Sequence, residues 1–553
     1  MTRVIAIHLD GYDAAFEQHM IDSGELPALT KLHTTGARFA LDHGDAKYTG
    51  ISGEHVATGL TPERNDRFSN VTFNPRTYSV KQFGAVAEPF AQRLTSRTVV
   101  FDVPYFNLAS APDVQGISGW GAHDAGVDTT FHPADLRSRF LQRFGHYPAT
   151  DSHYTFAWVS GETCTRMGDT LAAAIDLRAR AAYWLLSEGI ADWDLALLGI
   201  SETHSATEAF WHGIDQQHPL HGVPSASTAA EALKQVYRAV DRMIGVLAES
   251  FPDASFVVFS MHGMGSNAVD TTSMMLVPEL MYRYAFGKPF FRQPKSWTDT
   301  AAGQPVIPDL QKNWEANFTR RFPVWRPSQW SRFARNRLPA VLLRRVDAWL
   351  AEPENAQRGP IRSHLHYMPT LAYQAYWPSM PAFVLPAFQD VRIRINVAGR
   401  ESSGIVAQSD YRRVCDDIER MLMECLDGPN GQPAVSSIVR PHPDDPLALG
   451  ATEADLIVHW HRPTQSLVHE RLGTVGPIPI RRPGGHSGGL GLARIRAATV
   501  SAGYFGERSA FDVVPTLIHL LGEPVPAHLS GRSLLEGLPG TPARPIHATA
   551  DQG

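Results

Sequence analysis

Cysteine is nearly missing from this 553-residue chain, which holds only Cys164, Cys415 and Cys425. Three thiols so far apart give neither a disulfide framework nor a thiolate metal site. Long hydrophobic runs are absent too: no segment reaches the ~18 uninterrupted apolar residues that a membrane-spanning helix requires, so no membrane span is expected. The first residues, Met-Thr-Arg followed by Val4-Ile5-Ala6-Ile7, lack the basic start, long apolar stretch and small-residue cleavage site of a signal peptide. A cytoplasmic protein is therefore expected. Nor is there an excess of positive charge. Lysine plus arginine total 50 against 56 acidic residues, a net charge of -6, which argues against general affinity for nucleic acid or an anionic membrane. Internal repeats are absent, and no feature marks an oligomeric state.

What is present is length enough for one large α/β core with an insertion, or for two domains. Residues 4–9 form a short apolar run ending in Asp10-Gly11, the pattern of a buried parallel strand with a carboxylate at its carboxyl end. Residues 194–200 repeat the pattern before Ser201-Glu202-Thr203-His204, and residues 255–259 repeat it before Ser260-Met261-His262-Gly263. Open α/β sheets bind ligands at that edge. Between the strands, 167–186 and 229–247 carry helical apolar spacing, as a doubly wound sheet requires. From about 266 to 385 the chain turns rich in Trp, Pro and Arg and reads as an inserted cap. Its stretch 320–345, with eight arginines among Trp325, Trp330 and Phe333, could grip an anionic or aromatic substrate, although a solvated basic helical face is the plainer reading. Sheet-like patterning resumes at 391–397 and 456–460. The core ends in a helix from Phe511 that stops at Gly522, and residues 541–553 form a loose tail.

His204 and Glu208 stand four apart in a segment expected to be helical, so both project from one face and could share a divalent ion. His212 extends that face by a turn. Helix-surface polarity is the commoner explanation of such a pair taken alone. His262 follows a buried strand and precedes Gly263-Met264-Gly265, while His486 sits in Gly484-Gly485-His486-Ser487-Gly488-Gly489, a flexible loop. Glycines there allow tight turns that aim an imidazole over the sheet edge. With Asp10, these histidines converge on one edge.

The order of these elements resembles a known family. Leu9-Asp10-Gly11, Gly24-Glu25-Leu26-Pro27-Ala28-Leu29 and Ala57-Thr58-Gly59-Leu60-Thr61-Pro62-Glu63 are similar to the type I phosphodiesterase and nucleotide pyrophosphatase branch of the alkaline phosphatase superfamily. So are Ser201-Glu202-Thr203-His204, Ser260-Met261-His262-Gly263-Met264-Gly265, Gly399-Arg400-Glu401, Gly485-His486 and the ending Asp512-Val513-Val514-Pro515-Thr516 through Leu535. The resemblance covers roughly 1–265 and 386–540. It implies an alkaline phosphatase-like catalytic core made of those two segments, a mostly parallel central sheet flanked by helices, and 266–385 inserted as a cap.

It also implies two metal sites. Matching the family's pattern, His204, Glu208 and His486 fall on the ligands of one ion, and Asp10, Thr49, Met261 and His262 on those of the other, with Thr49 the nucleophile. His204 stands for an Asp, Glu208 for a His and Met261 for an Asp. Two imidazoles and a carboxylate remain good ligands for zinc, with iron or manganese as alternatives. A thioether in place of a carboxylate weakens the other site, so one tight ion and at most one weak one are expected. The resemblance implies hydrolysis or group transfer on a small-molecule anionic ester, a phosphodiester before a sulfate ester, through Thr49. The competing reading turns the single His/Glu/His site to redox or other non-hydrolytic work, or leaves the chain a non-catalytic binding protein.

Overall fold

The computed structural model of this chain describes residues 3–153, 160–300, 304–307, 314–318, 321–322, 365 and 368–538. Apart from Arg321 and Phe322, the arginine-rich stretch 320–345 and the tail 541–553 lie outside the described residues. Those described form two units, one drawn from 1–68, 84–266 and 483–553 and the other from 69–83 and 267–482.

The first unit is built on a nine-stranded sheet. In chain order its strands are β1 (Val4–Leu9), β2 (Ala37–Asp42), β3 (Thr98–Phe101), β4 (Gln115–Ser118), β5 (Thr130–His132), β6 (Leu195–Ile200), β7 (Ser255–His262), β8 (Leu490–Arg496) and β9 (Gly503–Ser509). They lie in the order β9-β2-β8-β7-β1-β6-β3-β4-β5. The central run from β7 to β4 is parallel throughout, whereas β8 is antiparallel to both its neighbours and β5 to β4.

Residues alternate between the two faces, and both faces are covered. Ile5, Ile7 and Leu9 of β1 join one apolar cluster with α4 (Gly161–Trp184) and α6 (Ala226–Ser250); Val4 and Ala6 join another with α7 (Val513–Leu521). That double burial is why the strands read as continuous apolar runs. Each fully buried aliphatic side chain contributes about 1.5–3 kcal/mol, so the central strands are firmly anchored and their carboxyl ends are fixed points. α7 ends where Gly522 takes a left-handed φ of 82°.

In the second unit, Ala382–Leu385, Val391–Ile395, Leu456–Trp460 and Val435–Val439 pair antiparallel in a sheet of their own. The stretch 386–482, read above with the core, thus lies in this unit, while 483–538 lies in the first. Arg400 of the Gly399-Arg400-Glu401 motif spans the carboxylate of Asp455 with two bonds of 2.8 Å and also reaches Glu401 at 2.9 Å, a buried clamp on this sheet. Among the described residues no helix is long and apolar enough to cross a membrane.

Candidate metal centre

Three parallel strands of the first unit end at one edge, and each is followed by a polar side chain. Asp10 follows β1, His262 is the last residue of β7, and β6 leads into α5 (Glu202–Phe210). α5 is buried at every position, so His204 and Glu208 face protein rather than solvent. The turn after Asp10 needs glycine twice over: Gly11 has φ +64°, and a Cβ there would stand 2.5 Å from the Cα of His204. The close approach sets α5 against the end of β1. His486 enters from the loop before β8, where Gly484 and Gly485 pair with Ser266 and Gly265.

These residues form one connected cluster. Asp10 Oδ2 lies 3.0 Å from His204 Nδ1, and His204 Nε2 lies 3.3 Å from Glu208 Oε1 and 3.0 Å from His486 Nε2. His486 Nδ1 in turn lies 3.3 Å from His262 Nε2. Burial drives the basicity of His486 well below the ordinary histidine value and that of His262 down to about 4. Both are therefore neutral imidazoles, the form that binds a metal. His204 behaves differently: burial opposes its proton, but Asp10 and Glu208 on either side more than offset that and raise its basicity. Burial likewise pushes Asp10 up, and the neighbouring His204 charge holds its carboxyl below the usual range. A positive charge is wanted between these carboxylates. Neutral imidazoles beside two carboxylates are a donor set that suits a divalent transition ion.

The other expected residues, Thr49, Met261 and His212, are held in different ways. Thr49 ends a 3-10 turn (Gly44–Thr49) and its hydroxyl donates to the carbonyl of Ala46 at 2.7 Å. Ser52, the first residue of α3 (Ser52–Thr58), brings Oγ to 3.3 Å from His262 Nε2. Met261 belongs to the apolar cluster that also holds Val56 and Ala57. Glu54 and His55, the neighbouring side chains that could stand in for the carboxylate missing at Met261, are both engaged, Glu54 by Arg67 and by Asn65 and His55 by His43 at 3.0 Å. His212 does not extend the α5 face, since the helix gives way to a 3-10 turn (Trp211–Gly213) and Nε2 lies 3.4 Å from Ser225 Oγ.

Sequence reasoning passed over His123. It arrives on the loop between β4 and β5, and its ring stacks on that of His204 with centroids 4.1 Å apart. Its Nδ1 lies 2.8 Å from Ser205 Oγ, which His153 Nδ1 also approaches at 3.2 Å. The signal was the segment Gly121-Ala122-His123-Asp124-Ala125-Gly126, a glycine-bracketed histidine like those at 262 and 486.

The profile of the type I phosphodiesterase / nucleotide pyrophosphatase family matches residues 4–283. A comparison with curated proteins gives no match. Among solved structures, phosphonoacetate hydrolase from Sinorhizobium meliloti in complex with phosphonoformate is similar at 13% identity and a TM-score of 0.47, with 94% of this chain and 95% of that one covered. Human ectonucleotide pyrophosphatase / phosphodiesterase 5 is similar at 11% identity and a TM-score of 0.41, covering 95% and 96%. A mutant of the alkaline phosphatase PafA is similar at 10% identity and a TM-score of 0.47, covering 97% and 99%. The family match spans half of the chain, and the chain belongs to the type I phosphodiesterase / nucleotide pyrophosphatase family, as a hydrolytic enzyme.

Proposed function

We propose that this enzyme hydrolyses a phosphodiester or a related small anionic ester, with Thr49 as nucleophile and one zinc ion held by His204, Glu208 and His486. The observation that carries the reading is the buried cluster at the carboxyl ends of β1, β6 and β7, in which two imidazole nitrogens and a carboxylate oxygen of those three residues meet about the His204 ring. When bound, the ion would supply positive charge to the phosphoryl oxygens and lower the pKa of a nearby hydroxyl. Asp10 holds His204 through Nδ1, leaving Nε2 directed at Glu208 and His486; such partners fix the tautomer and orientation of a metal ligand. Lys47, whose ammonium donates to the carbonyl of Gly488 at 3.1 Å, stands by the His486 loop as a further positive charge for an anionic substrate. With Met261 in an apolar cluster, the site at Asp10 and His262 keeps a single carboxylate. Less positive charge there suits a singly charged ester better than a phosphate dianion.

A second assignment of the nucleophile rests on a specific contact. Ser52 Oγ lies 3.3 Å from His262 Nε2, a neutral imidazole that could accept its proton as the oxygen attacks phosphorus. An aryl phosphodiester, an aryl phosphomonoester and an aryl sulfate assayed with wild type, Thr49→Ala and Ser52→Ala separate the readings. Loss of the nucleophile lowers turnover by orders of magnitude with the melting temperature nearly unchanged. Loss in Thr49→Ala supports the first assignment and loss in Ser52→Ala the second. A wild type that cleaves none of the three esters with zinc, iron or manganese overturns the ester-hydrolase reading.

A further inference from the structure

Among the described residues of the first unit, a ligand-type side chain outside the expected set, His123, joins His204 and Glu208. Among the described residues, ligand atoms of His123, His204 and Glu208 lie within 4.8 Å of one another, and all three side chains are buried. Glu208 presents its two oxygens to the two rings: Oε1 lies 3.3 Å from His204 Nε2 and Oε2 lies 3.7 Å from His123 Nε2. Donors about 2.0–2.1 Å from a tetrahedral ion stand roughly 3.3 Å from each other, so both separations are near those of ligands sharing one ion. With Nδ1 paired with the Ser205 hydroxyl, Nε2 is the ring nitrogen of His123 turned towards Glu208.

The parts that carry these ligands are tied together by an ion network with no solvent exposure. Asp102 accepts from the backbone nitrogens of Trp120 and Gly121 at 2.8 and 2.7 Å, pinning the start of the loop that carries His123. Arg178 donates to Asp102 at 2.8 Å, to the carbonyl of Gly121 at 3.2 Å, and to both oxygens of Glu202 at 3.0 and 3.1 Å. Glu202 opens α5, one turn ahead of Ser205 and two ahead of Glu208, and Tyr147 donates to it at 3.0 Å. One guanidinium therefore holds the loop of His123 and the helix of His204 and Glu208 in register. A planar, permanently charged fork is suited to that task.

We propose that His123 is a ligand of the metal ion, forming with His204 and Glu208 a set of two imidazoles and a carboxylate for a divalent transition ion, with Arg178, Asp102 and Glu202 as positioning residues. This deepens the proposed function and rests on an ion being bound at His204. It adds a fourth protein ligand, or replaces His486 in the set.

The test is zinc affinity, measured on the metal-stripped full chain by competition with a chromophoric chelator, and the visible spectrum of the cobalt-loaded protein. His123→Asn is the variant of choice, because the amide keeps a hydrogen bond for Ser205 and places no atom where Nε2 stands. The expected result is zinc affinity lowered by more than the roughly 10–100-fold that loss of an outer partner costs, with an altered cobalt band and an unchanged melting temperature of the apoprotein. Should His123→Asn not fold, His123→Ala carries the same test. Wild-type affinity and an unchanged cobalt band in a folded His123 variant would overturn the inference. If His204→Ala and His486→Ala lose zinc in parallel, the proposed function then stands without it. Loss in His123→Asn with retention in His486→Ala supports the inference and moves the site away from His486. A wild type that binds no zinc overturns both.

Discussion

Gly11 and His204 meet backbone to backbone: a Cβ on Gly11 would lie 2.5 Å from the Cα of His204 and 2.8 Å from its Cβ. The β1 turn and helix α5 are thereby set against each other, so that the carboxylate of Asp10 reaches His204 Nδ1. Gly11→Ala must push α5 away and also force an alanine into a left-handed φ, a backbone penalty of roughly 1–3 kcal/mol before the clash is counted. The expected outcome is a lower denaturation midpoint together with reduced zinc content, measured on purified protein by chemical denaturation and elemental analysis. A variant as stable and as metal-rich as wild type would show that the contact does not set the helix.

Of the three ligands expected for the first ion, His486 comes from a glycine loop and the other two from α5. Its Nε2 stands 3.0 Å from His204 Nε2, so His486→Ala removes a donor from the middle of the cluster. Elemental analysis should show loss of the ion. Calorimetric titration of the wild-type apoprotein should give one tight event and at most one weak one, because Met261 contributes no charge and Glu54 is already held by Arg67. Two equally tight events would defeat this expectation.

Arg178 is fully buried with Asp102 and Glu202. Removing one member of such a network leaves buried charge uncompensated, at a cost of about 3–5 kcal/mol. Arg178→Met should therefore unfold at much lower denaturant concentration than wild type. Arg178→Lys, which keeps the charge but loses the fork, is expected to fall between them. Equal midpoints for all three proteins would remove the network from the account of stability.

Acid should destabilise the fold through histidines away from the cluster. Burial, with His218 and His221 nearby, lowers His212 from the ordinary 6.5 to about 3, and burial lowers His218 to about 4 although Asp215 acts the other way. A histidine depressed in the folded state binds its proton more readily when unfolded. Its contribution to stability is thus complete above 6.5 and is lost progressively as the pH falls from there towards 3 to 4. The melting temperature should drop between about pH 7 and pH 4.5, and His212→Gln/His218→Gln should drop less. A double variant with the same acid profile as wild type would count against these two groups.

Much of this architecture could be read along the chain. A strand covered on both faces has to be apolar without interruption, so β1, β6 and β7 stood out as short apolar runs, and the polar residues that follow them gather at one sheet edge. The helical spacing of His204 and Glu208, and the glycines around His262 and His486, followed from local geometry alone. Other features depend on contacts between distant segments. His123 reaches the cluster because Asp102 and Arg178 hold its loop to α5, partners that are far apart in sequence and carry no shared periodicity. Ser52 beside His262, with the Thr49 hydroxyl on Ala46, depends on how a turn seats against the sheet edge. The sheet formed by 382–385, 391–395, 435–439 and 456–460 belongs to a second unit, although its alternating pattern would serve equally well at the edge of the first. Periodicity shows which face of a strand is buried, but it does not show against what; that is settled only when the surfaces are packed together.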